Sequence, residues 1–387
     1  MKILIPFPNV REGHGGIVSF ITQFSKEAVR EGHEVTIVTT LLAGERADET
    51  VQGVRFLRFP MRSVKLMRRI RDYPRFARLV KQKLREGAIP NPDIVFGISY
   101  AALAGIGTKF TFRSASGPIE WELAMWERLW KEKWVSNSIF KRMAIRFDFF
   151  MQKRLEASIV RSANALFCQS RKLVRGFREV YGTMAPASVP CTGVDTKRFA
   201  PRKNAQLRKV LGVEGPLLLF TGGFSIVKGG PILEQALPLI FKLYPTAKFA
   251  ILGTETYPMK LAPEDEQKVI HLGHVDHAKV HEYFNAADVF LFPTVFNEGF
   301  PNAVLEAMAS GLPIIVSDIP GIEEYVRNKK EALIIPQFSP DAVVTAVDAV
   351  LNDAALRKRL GTNARVASKN FAWPKIAKKM LEFLKTI

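Results

Sequence analysis

The sequence contains few of the residues that build disulfides and metal centres. Among its 387 residues there are only two cysteines, Cys168 and Cys191, which excludes a disulfide-rich scaffold. The two thiols can pair only if the fold brings them together, and we expect them to be free and buried in a reducing compartment. The six histidines are scattered, and no Cys/His cluster has the spacing of metal ligands. We therefore expect no bound metal and no cofactor.

Long apolar runs are also missing. The longest, from Ile94 to Ile106, is interrupted by small and polar residues, whereas a membrane-spanning helix needs about 20 apolar residues. The first residues, MKILIPFPNV, lack the apolar centre and the small-residue cleavage site of a signal peptide. These absences predict a cytoplasmic protein, and a peripheral position on the inner face of the membrane is an open alternative.

Acidic residues are scarce in the first half of the chain. Residues 1–190 hold 32 Lys and Arg against 17 Asp and Glu, so they carry +15 of the whole chain's net charge of +19. Such an excess indicates an anionic partner or an anionic surface. The strongest run, from Arg62 to Arg85, has ten basic residues and one acid, Asp72, and Pro74 predicts that it forms two helical pieces.

The second of these pieces has the pattern of a basic amphipathic helix. Its apolar residues fall on one face and are Phe76, Leu79, Val80 and Leu84. Two interpretations stay open: a solvated cationic face, or contact with an anionic membrane surface, where each basic residue adds about 1 kcal/mol. We expect no nucleic-acid partner, because the segment lacks the interleaved aromatic residues of a base-stacking platform.

The length of the chain predicts two domains, because 387 residues exceed one ordinary core. Lys2 to Phe7 has the pattern of a buried strand, and a glycine loop and a helix from Val18 to Arg30 follow it. Strand, glycine loop and helix in this order open a doubly wound α/β domain. Residues 216–220 begin a similar succession in the second half.

The most informative stretch is TVFNEGFPNAVLEAMASGLPIIVSDIPG, which runs from Thr294 to Gly321. Pro301 or Asn302 suits the first turn or the cap of a helix and Gly311 suits its end, so residues 303–310 are predicted to form a short helix. Unpaired backbone amides and the positive end of the helix dipole make such a helix start an anion site. A diphosphate fits there.

Two carboxylates flank this helix start. Glu298 lies in the preceding loop, and Glu306 lies about one turn into the helix. Carboxylates bind phosphate poorly but accept hydrogen bonds from hydroxyl groups well, so the arrangement suits a ligand made of ribose, diphosphate and sugar. The residues predicted to contact it also include the loop and the first helical residues: Gly299, Phe300, Pro301, Asn302 and Ala303.

The stretch EGFPNAVLEAMASGLPIIVSD closely resembles the signature of retaining glycosyltransferase family 4, whose members use nucleotide sugars. The resemblance implies the GT-B fold, with two Rossmann-like, doubly wound parallel-sheet domains facing a central cleft. It also implies that Glu298 and the loop after it contact the donor sugar and that Glu306 contacts the ribose. The alternative for Glu306 is an ordinary exposed carboxylate of a helix.

Weaker matches extend the resemblance over nearly the whole chain. The segment PCTGVDTKRFAP resembles the family's linker, so we expect an acceptor-binding domain at residues 1–190 and a nucleotide-sugar-binding domain at residues 191–370. The amphipathic segment at residues 371–387 is expected to pack back on the first domain, as in GT-B enzymes. The loop around Val275 corresponds to the family's loop that holds the nucleotide base.

Glycine-rich turns supply the remaining donor contacts. In TGGFSIVKGG, Gly222 and Gly223 precede Lys228 and a helix, a pattern that suits phosphate binding. The family has arginine where this chain has Gly223, so either Lys228 supplies the positive charge alone or another basic residue reaches the site. By the same resemblance Gly15 and Gly16 approach donor phosphate or acceptor, and a simple turn is the alternative.

The family's His-Gly-Pro loop is altered here, because Ser116 precedes Gly117 and Pro118. Serine supplies no imidazole, although its hydroxyl can bond to a sugar. Ser116 and the nearby Glu120 and Glu122 are the candidates for acceptor contact, and solvent-facing helix acids are the alternative for the two glutamates.

Together these patterns predict a retaining enzyme that moves a sugar from a nucleoside diphosphate sugar to a hydroxyl of a glycan or lipid-linked acceptor in cell-envelope polysaccharide synthesis. Glu298 and Lys228 are the expected catalytic residues, and a donor phosphate oxygen is expected to take the acceptor's proton. The alternative is a non-catalytic nucleotide-sugar or membrane-surface binding protein of the same fold, in view of Ser116 and Gly223. The donor sugar, its nucleotide, the acceptor, the linkage and the oligomeric state are left open.

Overall fold

The computed structural model describes residues 1–10, 15–61, 69–135, 138–202 and 204–387. They form two compact units. The N-terminal unit is Met1–Thr192 together with Trp373–Ile387, and the C-terminal unit is Gly193–Ala372. Each unit contains one mainly parallel β-sheet with connecting helices, which confirms the predicted α/β fold class.

The N-terminal unit is built on an eight-stranded sheet. Its strands are β1 (Lys2–Pro6), β2 (Glu34–Thr40), β3 (Asp48–Val51), β4 (Val54–Phe59), β5 (Ile94–Ile98), β6 (Phe110–Arg113), β7 (Ala165–Phe167) and β8 (Ala187–Ser188). Their order is β3-β4-β2-β1-β5-β6-β7-β8. Its helices are α1 (Gly15–Arg30), α2 (Arg69–Arg85), α3 (Ile119–Lys131), α4 (Ile139–Ser162) and α5 (Arg171–Tyr181).

The pair β3–β4 is antiparallel and is missing from the sequence prediction. Its two-residue turn has positive φ at both Gln52 (52°) and Gly53 (80°), as a type I′ hairpin turn requires. A Gln-Gly pair between two valines is a weak hairpin signal, since Asn-Gly or Asp-Gly is the usual sequence.

The C-terminal unit is built on a six-stranded sheet. Its helices and strands are α6 (Ala205–Val210), β9 (Leu217–Thr221), α7 (Gly230–Leu243), β10 (Lys248–Leu252), α8 (Pro263–Glu266), β11 (Val269–Gly273), α9 (Val280–Ala286), β12 (Val289–Phe292), α10 (Asn302–Ala309), β13 (Ile314–Ser317), β14 (Leu333–Ile335), α11 (Pro340–Asn352) and α12 (Ala354–Ser368). The central strands are apolar and fully buried, as strands covered on both faces must be.

The strand order of this sheet decides where a ligand can bind. The order is β11-β10-β9-β12-β13-β14, with every pair parallel. Numbered from the first strand of the unit, this is the order 3-2-1-4-5-6 of dinucleotide-binding domains. The order reverses between β9 and β12, and ligands of such sheets bind where the carboxyl ends of those strands diverge.

The helix α2 corrects one prediction. It runs from Arg69 to Arg85 without a break, although Pro74 lies in its second turn. Proline removes one helical hydrogen bond, and the complete burial of Phe76 and Val80 stabilises the helix by packing. The apolar face of this basic helix is therefore part of the core. Residues 62–68 of the basic run lie outside the described residues.

The last helix, α13 (Trp373–Lys385), belongs to the N-terminal unit. The ring of Trp373 lies 5.7 Å from that of Phe20 in α1, and Phe383 contacts Phe167 edge to face at 5.4 Å. The chain therefore passes from one unit to the other twice, after Thr192 and after Ala372. Both cysteines are buried free thiols, as predicted. Within the described ranges, no helix combines the length and the apolar character needed to cross a membrane.

Candidate functional site

The helix α10 begins just beyond the carboxyl edge of the C-terminal sheet. It spans Asn302–Ala309, and Gly311 follows it with a φ of 67°, so the predicted helix is confirmed to within one residue. Val304 N–H and Leu305 N–H donate to the carbonyl of Pro301, at 3.1 and 3.3 Å. These bonds place the first turn of α10 at Pro301, so the backbone amides of this turn lie at the positive end of the helix dipole.

The opposite end of α10 is held by an arginine. Arg365 donates from Nη1 to the carbonyl of Ala309 at 2.7 Å and to that of Phe199 at 3.1 Å. A positive charge at a helix C-terminus complements the helix dipole. This contact fixes the direction in which the helix presents its N-terminus.

Lys228 and Glu298, the two predicted catalytic residues, form an ion pair. Lys228 follows β9 and Glu298 follows β12, so the pair lies at the point where the strand order reverses. Lys228 Nζ also lies 5.4 Å from the ring centroid of Phe292 and 5.5 Å from that of Phe296, within the range of cation–π attraction. Both side chains are only partly exposed, so the pair is held in place rather than free in solvent.

The backbone around Gly229 explains how these two loops come together. Gly229 has a φ of 94°, and a Cβ there would lie 2.3 Å from the carbonyl oxygen of Pro293. Val295 N–H and Phe296 N–H both donate to the carbonyl of Val227, at 2.9 and 3.2 Å. The loop after β9 thus lies directly against the loop after β12, which brings Lys228 to Glu298.

The glycines before Lys228 are exposed. Gly222 has a φ of 115°, a conformation that side chains rarely adopt. Gly223 does not have a positive φ, and among the described residues a Cβ built on it would meet only the carbonyl oxygen of Thr254, at 3.9 Å. The position at which the resembled family has arginine therefore has room for a side chain.

Glu306, on α10, forms a hydrogen bond with a histidine that the sequence patterns did not single out. His277 Nε2 lies 3.0 Å from Glu306 Oε1, and this bond raises the pKa of His277 although burial opposes the shift. His277 lies two residues beyond Val275, in the loop after β11 that was predicted to hold the base. That proximity is the signal from which His277 could have been found.

The loop between Glu298 and α10 is fixed by an aromatic stack. The ring of Phe300 lies parallel to that of Tyr325, with 4.0 Å between centroids, and contacts Phe371 edge to face at 5.3 Å. Phe300 is buried, so its side chain faces the protein. Its backbone amide is the part that can meet a ligand.

The remaining predicted residues lie in the N-terminal unit. Gly15 begins α1 with a φ of 78°, next to Gly16, and Gly13 and His14 lie outside the described residues. Ser116 is half-buried, with Oγ 3.4 Å from the carbonyl oxygen of Gly117.

Glu120 is engaged with protein groups rather than with solvent alone. Its Oε1 lies 2.6 Å from Lys153 Nζ, and the Tyr181 hydroxyl donates to its Oε2 at 3.0 Å. Tyr181 also bonds to Glu156, a buried acid of α4. An acceptor that used Glu120 would therefore meet a carboxylate already fixed in position.

Glu156 is a titratable group that the sequence did not reveal. Its Oε2 accepts the backbone N–H of Ile119 at 2.9 Å, at the start of α3 and directly after Gly117-Pro118. Burial raises its pKa to about 7, although the hydrogen bonds from Tyr181 and Ile119 favour the ionised form. Glu156 is one of two acids in the mainly basic helix α4, and the sequence pattern does not mark it as the buried one.

The fold and the site define a two-unit α/β protein with a partly buried ion pair, a carboxylate and a helix start at the carboxyl edge of a dinucleotide-type sheet. Such a site suits an anionic ligand that carries hydroxyl groups. The model of the family "Glycosyl transferases group 1" matches residues 203–367, and that of "Glycosyltransferase Family 4" matches residues 14–198. The two matches cover most of the chain, and the chain belongs to these glycosyltransferases.

Relatives with curated names are similar to parts of this chain. The D-inositol 3-phosphate glycosyltransferase of Xylanimonas cellulosilytica is 29% identical over 245 residues, which are 59% of this chain and 58% of that protein. The lipopolysaccharide core biosynthesis mannosyltransferase LpsB of Rhizobium meliloti is 30% identical over 202 residues, 48% of this chain and 57% of that protein. The chain thus spans less than three fifths of the length of these relatives.

Solved structures of similar fold include HepE of Anabaena, in complex with UDP and glucose. The TM-score is 0.72 at 16% identity, and the match covers 100% of both chains. This likeness concerns the fold, and with the two parallel sheets it confirms the predicted GT-B class. Among the described residues, no group of three or more His, Cys, Asp or Glu side chains is arranged to hold a metal ion.

Proposed function

We propose that the protein transfers a sugar from a nucleoside diphosphate sugar to a hydroxyl group of an acceptor. The observation that carries this proposal is the convergence of Lys228, Glu298 and Glu306 around the start of α10, at the reversal point of the C-terminal sheet. Each group matches one part of such a donor. The nucleotide-bound structure of HepE supports the same ligand class.

In this proposal the donor lies along the start of α10. The diphosphate accepts hydrogen bonds from the helix-start amides and from Lys228, which exchanges part of its pairing with Glu298 for the phosphate. Glu306, whose Oε1 is bonded to His277, accepts ribose hydroxyls with Oε2. Glu298 accepts hydroxyls of the sugar from the other side of the diphosphate.

The chemical step breaks the bond between the anomeric carbon and the diphosphate oxygen. Negative charge grows on the leaving oxygens, and Lys228 and the helix-start amides stabilise it. The acceptor oxygen forms the new bond to the anomeric carbon, and its proton passes to an oxygen of the departing phosphate. Because attack and departure use the same face, we expect retention of the anomeric configuration. An inverted product, detected by NMR, would rule this route out.

The acceptor in this proposal is anionic, a glycan or a lipid-linked glycan of the cell envelope. Residues 1–190 carry a net charge of +15, which favours such a partner. The names of two relatives, which refer to inositol 3-phosphate and to lipopolysaccharide core, support the same class. The proposed location is cytoplasmic, at the inner face of the membrane.

The experiment that tests this function is a thermal-shift screen of nucleotide sugars with the full chain. A ligand present at 100 times its dissociation constant stabilises the folded state by about 2.7 kcal/mol, so the right donor raises the melting temperature. The donor that does so is then incubated with phosphorylated glycan acceptors. A panel in which no nucleotide sugar shifts the transition would contradict the proposal.

A non-catalytic binding protein is the second candidate, favoured by Ser116 and Gly223 at positions where the family has histidine and arginine. It predicts that a nucleotide sugar binds but is neither transferred nor hydrolysed. Release of the nucleoside diphosphate, followed by chromatography, separates the two functions.

A further inference from the structure

The first half of α4 exposes an unusual amount of apolar surface. Of the eleven large apolar side chains that are exposed among the residues whose burial is described, five lie on this helix: Ile139 (66%), Phe140 (81%), Met143 (62%), Phe147 (67%) and Phe150 (52%). At 100° per residue these five positions fall within an arc of about 100°. They form one continuous stripe, which we call the α4 apolar stripe.

The opposite face of the same helix anchors it to the N-terminal unit. Its buried residues are Phe149, Gln152, Glu156, Ile159 and Val160. On a helical wheel their centre lies about 160° from the centre of the stripe. The stripe is therefore separate from the face by which α4 packs into the N-terminal unit, and it lies on the outer side of the helix.

Basic residues border the stripe. The helix contains six of them and two acids, Asp148 and Glu156, the second of which is buried. The guanidinium of Arg154 lies 4.9 Å above the ring of Phe150, within the stripe. Acids of α3 offset part of this charge, since Arg146 pairs with Glu127 at 3.0 Å and Lys153 with Glu120. The helix itself is left with more positive than negative charge.

We propose that the α4 apolar stripe docks the N-terminal unit onto an anionic bilayer. Apolar side chains enter the boundary between headgroups and acyl chains, and the bordering Lys and Arg contact anionic headgroups. This surface differs from the basic segment that the sequence suggested, since the apolar face of α2 is buried in the core. The docking does not depend on the proposed sugar transfer, so either can fail alone.

Vesicle co-sedimentation of the full chain tests this docking. We expect binding to vesicles of phosphatidylcholine with 30% phosphatidylglycerol, binding that weakens as salt rises, and at least tenfold weaker binding to pure phosphatidylcholine. Replacing two aromatic side chains of the stripe, Phe140→Ser with Phe147→Ser, is expected to weaken binding to the anionic vesicles at least tenfold. Leu239→Ser with Leu243→Ser, two exposed leucines of α7, is the matched control and keeps wild-type binding.

Circular dichroism and the melting temperature establish that both double variants fold, since all four changes are at exposed positions. The proposal would be overturned if the Phe140/Phe147 variant bound anionic vesicles as tightly as the wild-type chain. It would also be overturned if the wild-type chain did not bind them. If the wild-type chain were a dimer that binds no vesicles, and the Phe140/Phe147 variant were a monomer, the stripe would instead be a contact with a second copy of the chain. Donor hydrolysis by the same variant tests the sugar chemistry separately.

Discussion

Lys228 and Glu298 are separated by 70 residues in the chain, yet their side chains pair at the edge of one sheet. In this pair the two charges offset each other. A ligand can bind both side chains when it brings negative charge to the lysine and hydroxyl groups to the carboxylate. The pair is therefore the residue-scale centre of the proposed reaction.

We predict that Lys228→Ala and Glu298→Gln each reduce sugar transfer at least a hundredfold while the melting temperature stays within a few degrees. A lost contact to the developing charge costs about 3 kcal/mol of transition-state stabilisation, whereas a partly exposed ion pair contributes little to folding. Lys268→Ala, which breaks the pair with Asp265 in the same unit, is the control and leaves turnover unchanged. Near-normal rates in both site variants would move the site elsewhere.

Gly223→Arg tests whether the missing family arginine limits phosphate binding. The open space around Gly223 accepts a side chain, and a charge-assisted hydrogen bond contributes about 1.5–3 kcal/mol. We expect at least tenfold tighter binding of UDP or inorganic pyrophosphate by calorimetry. Gly223→Gln, of similar length but neutral, is the control and should show little gain. Equal affinities of the two variants would place the phosphates away from this glycine.

The proton of Glu156 makes stability depend on pH. Its pKa is about 7 in the folded state and about 4.5 when unfolded, so between these values the folded state holds a proton that the unfolded state has lost. Stability therefore falls as pH rises from about 4.5 to about 7, by about 3 kcal/mol. We predict that Glu156→Gln flattens this slope in urea-unfolding titrations. Glu86→Gln, at an exposed carboxylate, should retain it.

At the scale of elements, the turn between β9 and α7 holds the site together through close backbone contact. Helix α10 presents its N-terminus, Arg365 holds its other end, and the two loops contact each other at Gly229. No side chain can take the place of that glycine, because Pro293 occupies the space.

We predict that Gly229→Ala destabilises the protein by more than about 2 kcal/mol and reduces transfer, since a left-handed residue costs about 1–2 kcal/mol and a backbone clash adds to it. Gly15→Ala is the matched comparison, because its φ is also positive but no atom of the described residues lies within 4 Å of the added Cβ. Gly15→Ala should therefore lower the free energy of unfolding only by the cost of the left-handed conformation, about 1–2 kcal/mol. Chemical denaturation measures both, and equal losses would contradict the role given to Pro293.

At the scale of the whole molecule, the N-terminal unit needs a segment from the far end of the chain. Helix α13 supplies six buried residues to its core: Trp373, Ile376, Ala377, Met380, Leu381 and Leu384. This connection was expected from the family resemblance for residues 371–387, and the unit boundary lies two residues later.

We predict that a chain ending at Ala372 loses the folded N-terminal unit, because removing several buried large side chains at about 2–5 kcal/mol each exceeds the stability of an ordinary domain. Limited proteolysis should then degrade residues 1–192 first. A chain ending at Leu384, which lacks only three terminal residues, is the control and stays resistant. Equal resistance of the shorter chain would show that α13 is dispensable.

Local chemistry can be read directly from the amino-acid sequence. Apolar runs predict most strands, and Pro301 and Gly311 bound α10, while the resemblance to family 4 nominates Glu298, Glu306 and Lys228 as candidates. These features depend on neighbours a few residues away, through helix capping and strand periodicity. The sequence therefore determines them by itself.

Only the tertiary structure decided which side chains pair and which are buried. The hydrogen bond between His277 and Glu306 joins distant segments, and the pKa of Glu156 is raised because distant segments bury it. The amphipathic pattern of α2 did not show whether the protein core or a membrane covers its apolar face, and no pattern showed that α4 exposes an apolar stripe. An apolar stripe records only that a face avoids water, and which surface covers it depends on what the rest of the chain packs against it.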